Sequence, residues 1–165
     1  MIGNPLPEGF AAERETTIRE RLARELQAVA GASDSVKNMG NQRRCIASSS
    51  TPEWLASRLR QLELTDYFGS NVFSATKHVE RGKPHPDLFL YAAKQMNVEP
   101  SHAVVIEDSP TGIEAGVAAG MTVIGLLAGR HIRNDHGARL ANAGAHHLAR
   151  SYDDVSAILC SIALG

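Results

Sequence analysis

A parallel β-sheet covered by helices is the fold class that this sequence predicts, and three observations carry it. Strand-like and helix-like segments alternate from about residue 44 to the end of the chain. The strand candidates are apolar on both faces, as buried parallel strands are. Helix ends are legible too: Thr51 followed by Pro52 opens one helix candidate and Gly120 closes another.

The elements follow in order. Between Phe10 and Val29, apolar Ile18, Leu22, Leu26 and Val29 recur at helical spacing, while Glu15/Arg19 and Glu20/Arg24 make favourable i,i+4 pairs, so an amphipathic helix is predicted. The polar, small-residue stretch 30–42, with Gly31 and Gly40, reads as a short helix or loop at a domain boundary. A strand is predicted over Cys45–Ala47, ending in Ser48, Ser49 and Ser50. Thr51 and Pro52 then supply the cap and first residue of the helix PEWLASRLRQLEL. NVFSA predicts a strand, PDLFLYAAKQMN a helix burying Leu88, Ala92 and Met96, HAVVIE a strand, and TGIEAGVAAG a helix stopped by Gly120. MTVIGLL, HGARLANAG, AHHLA and SYDDVSAILCSIAL complete the alternation as strand, short helix, weak strand and final helix.

Composition excludes several functions. The 165 residues carry 17 basic and 18 acidic side chains for a formal net charge of −1, so no basic field points to nucleic acid. No window approaches the roughly 20 apolar residues of a membrane span. No secretory leader is recognisable in MIGNPLPEGF, so a cytoplasmic location is expected. Cys45 and Cys160 are too far apart for a metal knuckle and are expected to be buried thiols. His78, His85, His102, His146 and His147 lack the HxxxH spacing of a helical metal site, and His146 and His147 face opposite sides of a strand. Gly112, Gly116 and Gly120 are read as close helix-to-sheet packing rather than as a membrane dimer seam.

In open parallel sheets, ligands bind beyond the carboxyl ends of the strands, where helix N-termini and loop amides point. Ser48 to Ser50 follow the first strand, Lys83 stands in RGKPHPD beyond the second, and Glu107 and Asp108 follow the third. Singly, these are ordinary features: serines cap helices, a lysine before proline is solvated, and carboxylates favour a helix dipole. Together, a hydroxyl with free amides, a lysine and paired carboxylates can hold a phosphate beside a hard cation.

CIASSS, GKPHPD and VIEDSPTGIEA resemble, in order, the second, third and fourth motifs of the haloacid dehalogenase superfamily. EGFAAERETTIRERLARELQAVAG resembles the last part of that superfamily's helical cap, and YAAKQMNVEPSHAVVIEDS is most similar to its branch of sugar-phosphate phosphatases and β-phosphoglucomutases, with 6-phosphogluconate phosphatase-like proteins nearest. The resemblance implies a Rossmannoid three-layer sandwich over residues 38–165, with residues 1–37 a remnant of the cap and a linker. It implies that Ser48 and the Ser49 amide bind a phosphoryl oxygen, that Lys83 bridges the phosphoryl group and the nucleophile, and that Asp108 binds Mg²⁺ with Glu107 as ligand or through water. Lys83 and Ser48 would be the catalytic members. A Mg²⁺-dependent phosphatase acting on a small phosphorylated metabolite is therefore expected, with neither nucleic acid nor membrane as partner.

The superfamily's first motif, an Asp-x-Asp after the first strand, has no counterpart in the sequence. That strand lies mid-sheet in the family, so the resemblance implies a sheet missing its central first strand, with two facing edges ~9–10 Å apart. An N-terminally truncated chain, inactive by itself because the Asp nucleophile is absent, is the resulting expectation. The alternatives are a non-catalytic phosphate- or metal-binding regulatory remnant, or a receiver-type domain with Asp108 as phosphoacceptor; the latter fits neither the Ser48 and Lys83 motifs nor the cap-like helix.

Overall fold

The computed structural model describes residues 28–40, 42–129 and 135–163. The cap-like helix expected over Phe10–Val29 lies outside the described residues except for its last two positions. The described chain runs α1 (Ala32–Asn38), β1 (Ile46–Ser48), α2 (Pro52–Gln61), α3 (Thr65–Phe68), β2 (Val72–Ser74), α4 (Ala75–His78), α5 (Asp87–Gln95), a 3₁₀ turn (Pro100–His102), β3 (Val104–Glu107), α6 (Pro110–Ala118), β4 (Thr122–Leu126), α7 (His136–Asn142), β5 (His147–Ala149) and α8 (Tyr152–Ala163).

Among the described residues all strand pairing is parallel, and it falls into two sheets. In one, β1 pairs β2 with Ile46 opposite Val72 and Ser48 opposite Ser74. In the other, β3, β4 and β5 lie side by side, with Glu107 opposite Gly125 and Ile124 opposite His147. No ladder joins β1 to β3 among the described residues. The division expected from the sequence thus falls between the strands bearing Ser48 and Glu107.

Helices hold the two sheets together. Along α5, Leu88 and Ala92 pack with Phe73 and Ala75 on the β1–β2 side, while Phe89 and Ala93 join Val105, Ile113 and Val123 on the other. One amphipathic helix therefore serves both halves, because positions i and i+1 diverge by about 100° around its axis. On the opposite face, α8 covers Ile124, Leu126 and Ala149 with Val155. Val36 of α1 packs on the cluster of Leu59, Leu64 and Phe68.

Local chemistry places the helix starts. Thr51 Oγ1 accepts from the Trp54 amide at 3.4 Å, and Pro52 opens α2, whose Leu55 and Leu59 are buried at i,i+4 spacing. Ser109 and Pro110 do the same for α6, with the Gly112 amide donating to Ser109 Oγ at 3.1 Å. Gly120, at φ +73°, turns the chain out of that helix. Gly116 fits the close-packing reading, since a Cβ there would lie 2.8 Å from Val123 Cγ2. Gly120 does not: no described atom lies within 4 Å of a Cβ built on it, and glycine there serves the positive φ instead.

The sequence reading needs correction in four further places. The first strand is displaced by one residue, to Ile46–Ser48. The short helices α3 and α4 were not anticipated, since four residues are too few to show a period. Met96, expected to be buried, is half-buried at the margin of its cluster. Cys160 is exposed and Cys45 half-buried, because α8 turns Cys160 away from the Ile124 and Val155 face.

Candidate active site

β1, β2 and β3 are short, and their carboxyl ends are held by side chains rather than by further strand pairing. Lys83 is the central tie. Its ammonium donates to the Ala47 carbonyl at 3.3 Å and pairs with the Glu107 carboxylate, while lying 4.9 Å from the Phe89 ring centroid. The Lys83 side chain is only 10% exposed and that of Glu107 11%, so Lys83 is not the solvated loop residue that its sequence context alone would suggest. An ammonium so enclosed needs an anionic or carbonyl partner, and here it has both.

Glu107 ends β3 and lies over the first turn of α6. Ser109 Oγ donates to Glu107 Oε2 at 3.2 Å while accepting from Gly112, so one hydroxyl caps the helix and steadies the carboxylate. Gly112 makes room: a Cβ built there would sit 2.7 Å from Glu107 Oε1 and closer still to Oε2. The adjacent Asp108 has its main-chain carbonyl 2.7 Å from Nε2 of His136, a buried residue at the start of α7. Its charge also reaches Tyr152, whose phenol is pushed above its ordinary value by burial first and by Asp108 second.

The serines at the end of β1 form a separate, connected loop. The Ser50 amide donates to Ser48 Oγ at 3.1 Å, and Ser49 is exposed. Ser74 Oγ, 1% exposed in β2, donates to the Ser50 carbonyl at 2.7 Å and lies 2.8 Å from Thr76 Oγ1. The Ser74 amide in turn donates to His78 Nδ1 at 3.0 Å, and the His78 ring stacks on Tyr91.

Lys83 therefore bonds the residue before Ser48 and the residue before Asp108, bringing the three sequence motifs to one end of the strands. Sequence reading missed Ser74, Ser109, Gly112 and His136. Ser109 had a legible signal, as the Ser-Pro start of a helix. A lone Ser in a strand and a lone His after a loop have none, because only tertiary contact gives them partners.

Among the described residues, no group of three or more His, Cys, Asp or Glu side chains converges as a metal site. The donors that Asp108 and Glu107 offer are hard carboxylate oxygens, and Mg²⁺ commonly takes one or two of these and completes its shell with water and substrate phosphate. In chemistry the pair fits half of such a site.

A model of the haloacid dehalogenase-like hydrolase family matches residues 5–120. The chain belongs to this family. Among its relatives, a phosphorylated carbohydrates phosphatase of Thermotoga maritima is 35% identical over 140 residues, which cover 84% of this chain and 61% of that protein. The 6-phosphogluconate phosphatase of Escherichia coli is 31% identical, with 72% and 55% covered. A crystal structure of a haloacid dehalogenase-like protein from Agrobacterium tumefaciens superposes with a TM-score of 0.86 at 34% identity, covering 96% of this chain and 72% of that one. The chain spans about half to three fifths of the length of the curated relatives it matches. The α/β architecture and parallel strands are those of this haloacid dehalogenase-like fold. No described helix is long and apolar enough to cross a membrane.

Proposed function

We propose that these residues form the phosphate-holding and cation-holding part of a phosphatase site that hydrolyses a small sugar phosphate or related phosphorylated metabolite. The observation that carries the reading is the Lys83 ammonium, enclosed between the Ala47 carbonyl at the end of β1 and the Glu107 carboxylate at the end of β3. A phosphoryl group arriving there would meet a fixed positive charge already desolvated, which interacts more strongly than one in water. Relatives named for phosphorylated carbohydrates and for 6-phosphogluconate support the substrate class.

Ser48 and the Ser49 amide would bind a phosphoryl oxygen, Lys83 would offset the charge that gathers in the transition state, and Asp108 with Glu107 would hold Mg²⁺. A bound Mg²⁺ supplies neutralisation of phosphoryl charge. Lys83 orients the group, and Ser74 keeps the serine loop in place through the Ser50 carbonyl. Covalent phosphoryl transfer also needs a nucleophile in line with phosphorus, and the 165 residues contain no Asp-x-Asp to provide one. The reading therefore has the nucleophile supplied by a strand added beside β1 and β3, with the isolated chain inactive.

Assays of 6-phosphogluconate, hexose phosphates and an aryl phosphate, with Mg²⁺, test this. The chain alone should show no turnover, and fusion to a segment carrying a family first strand with its Asp-x-Asp should produce Mg²⁺-dependent hydrolysis that Lys83→Met abolishes. Turnover by the isolated chain would refute the division of labour. Phosphate binding without turnover in the fusion would favour the non-catalytic binding alternative.

A further inference from the structure

HGARLAN, at 136–142, begins with a histidine and a glycine that the sequence reading left without a role. In the fold these residues open α7, whose Leu140 is fully buried with Ile113, Met121 and Val123. At Gly137 a Cβ would lie 3.4 Å from Leu127 Cδ1, so the first turn of α7 runs close to the chain leaving β4. His136 is consequently pressed inward, 8% exposed, and its Nε2 meets the Asp108 carbonyl at 2.7 Å. A carbonyl can only accept, so Nε2 carries the hydrogen.

The bonded oxygen belongs to the peptide between Asp108 and Ser109, at the turn from β3 into α6. The residues on either side are already tied: Glu107 by Lys83 and by Ser109 Oγ, and Ser109 by the Gly112 amide. Those bonds fix side chains and the helix cap. The Asp108 carbonyl contact fixes the peptide plane itself, and hence the direction in which the Asp108 Cα–Cβ bond leaves the chain.

We propose that His136 is a positioning residue, which holds the Asp108–Ser109 peptide so that the Glu107 and Asp108 carboxylates face one cation. The proposal rests on reading those carboxylates as the cation-holding pair. Groups that orient ligating side chains in this way typically change metal affinity by about 10–100-fold when removed.

The test compares His136→Phe, which keeps ring volume without the donor, with His136→Gln, whose amide can donate from a similar distance; His136→Ala replaces Phe if that variant does not fold. Mn²⁺ is titrated into the full chain and into Asp108→Asn, and the Ser109 amide nitrogen and Asp108 carbonyl carbon are followed by NMR without metal. Expected are Mn²⁺ affinity about tenfold weaker in His136→Phe and near wild type in His136→Gln, with Ser109 and Asp108 resonances displaced in the first and restored in the second. If Asp108→Asn weakens Mn²⁺ and His136→Phe does not, the positioning role is overturned. If Asp108→Asn leaves Mn²⁺ binding unchanged, the cation reading fails by itself, and the Ser109 and Asp108 resonances then decide whether His136 holds the turn. Unchanged resonances in His136→Phe would overturn that as well.

Discussion

Lys83 and Glu107 form an ion pair across the division between the two parallel sheets, which no ladder joins among the described residues, and both side chains are about nine-tenths enclosed. Removing one partner strands the other charge away from water. Lys83→Met and Glu107→Gln should each lower unfolding free energy by about 3 kcal/mol, and the double variant by clearly less than their sum. Urea titration of the three proteins measures this; additive losses would mean the two charges are independently solvated.

Gly112→Ala and Gly116→Ala should part company although both add one methyl to α6. At Gly112 the methyl would meet the end of the flexible Glu107 side chain, which can move aside only by leaving Lys83. Inorganic phosphate binding, followed by ³¹P NMR, should change while helix propensity offsets part of the stability loss. At Gly116 it meets Val123, a fully buried β-branched residue that has nowhere to go. A loss of about 1–3 kcal/mol with phosphate binding intact is expected there.

Ser74→Ala should act on the serine loop from beneath. It removes the hydroxyl that donates to the Ser50 carbonyl and leaves that acceptor without this donor. The expected cost is about 1–2 kcal/mol, with weaker phosphate binding although Ser74 is itself 1% exposed. Equal phosphate affinity in Ser74→Ala and wild type would separate the loop's position from its function.

Alkaline pH should weaken the fold in two steps. Burial raises the Cys45 thiol above its ordinary 9.0, and burial together with Asp108 raises the Tyr152 phenol above 10.0. In each case the unfolded chain gives up its proton first, so stability is full below the ordinary value and falls as pH climbs from it towards the raised one. Thermal melts from pH 8 upward should show this decline. Cys45→Ala should remove the part that begins near 9.0, and Tyr152→Phe the part that begins near 10.0.

Alternation of strands and helices, the cap at Thr51 and the stop at Gly120 were determined by sequence alone, because each depends on neighbours within a few positions, and the three site motifs were legible through family resemblance. The placing of a parallel sheet's division between the Ser48 and Glu107 strands was also legible, through family resemblance. Tertiary structure decided the rest. It made Lys83 a buried tie rather than a loop charge, chose Glu107 as its partner, and gave Ser74 and His136 carbonyls 24 and 28 residues away in the chain. It also exposed Cys160, which composition had put inside. Periodicity and capping report what a residue does to the backbone beside it. The partner of an isolated polar side chain depends on which segments the packed helices bring together, and α5 and α7 settle that only once Leu88, Phe89 and Leu140 are buried.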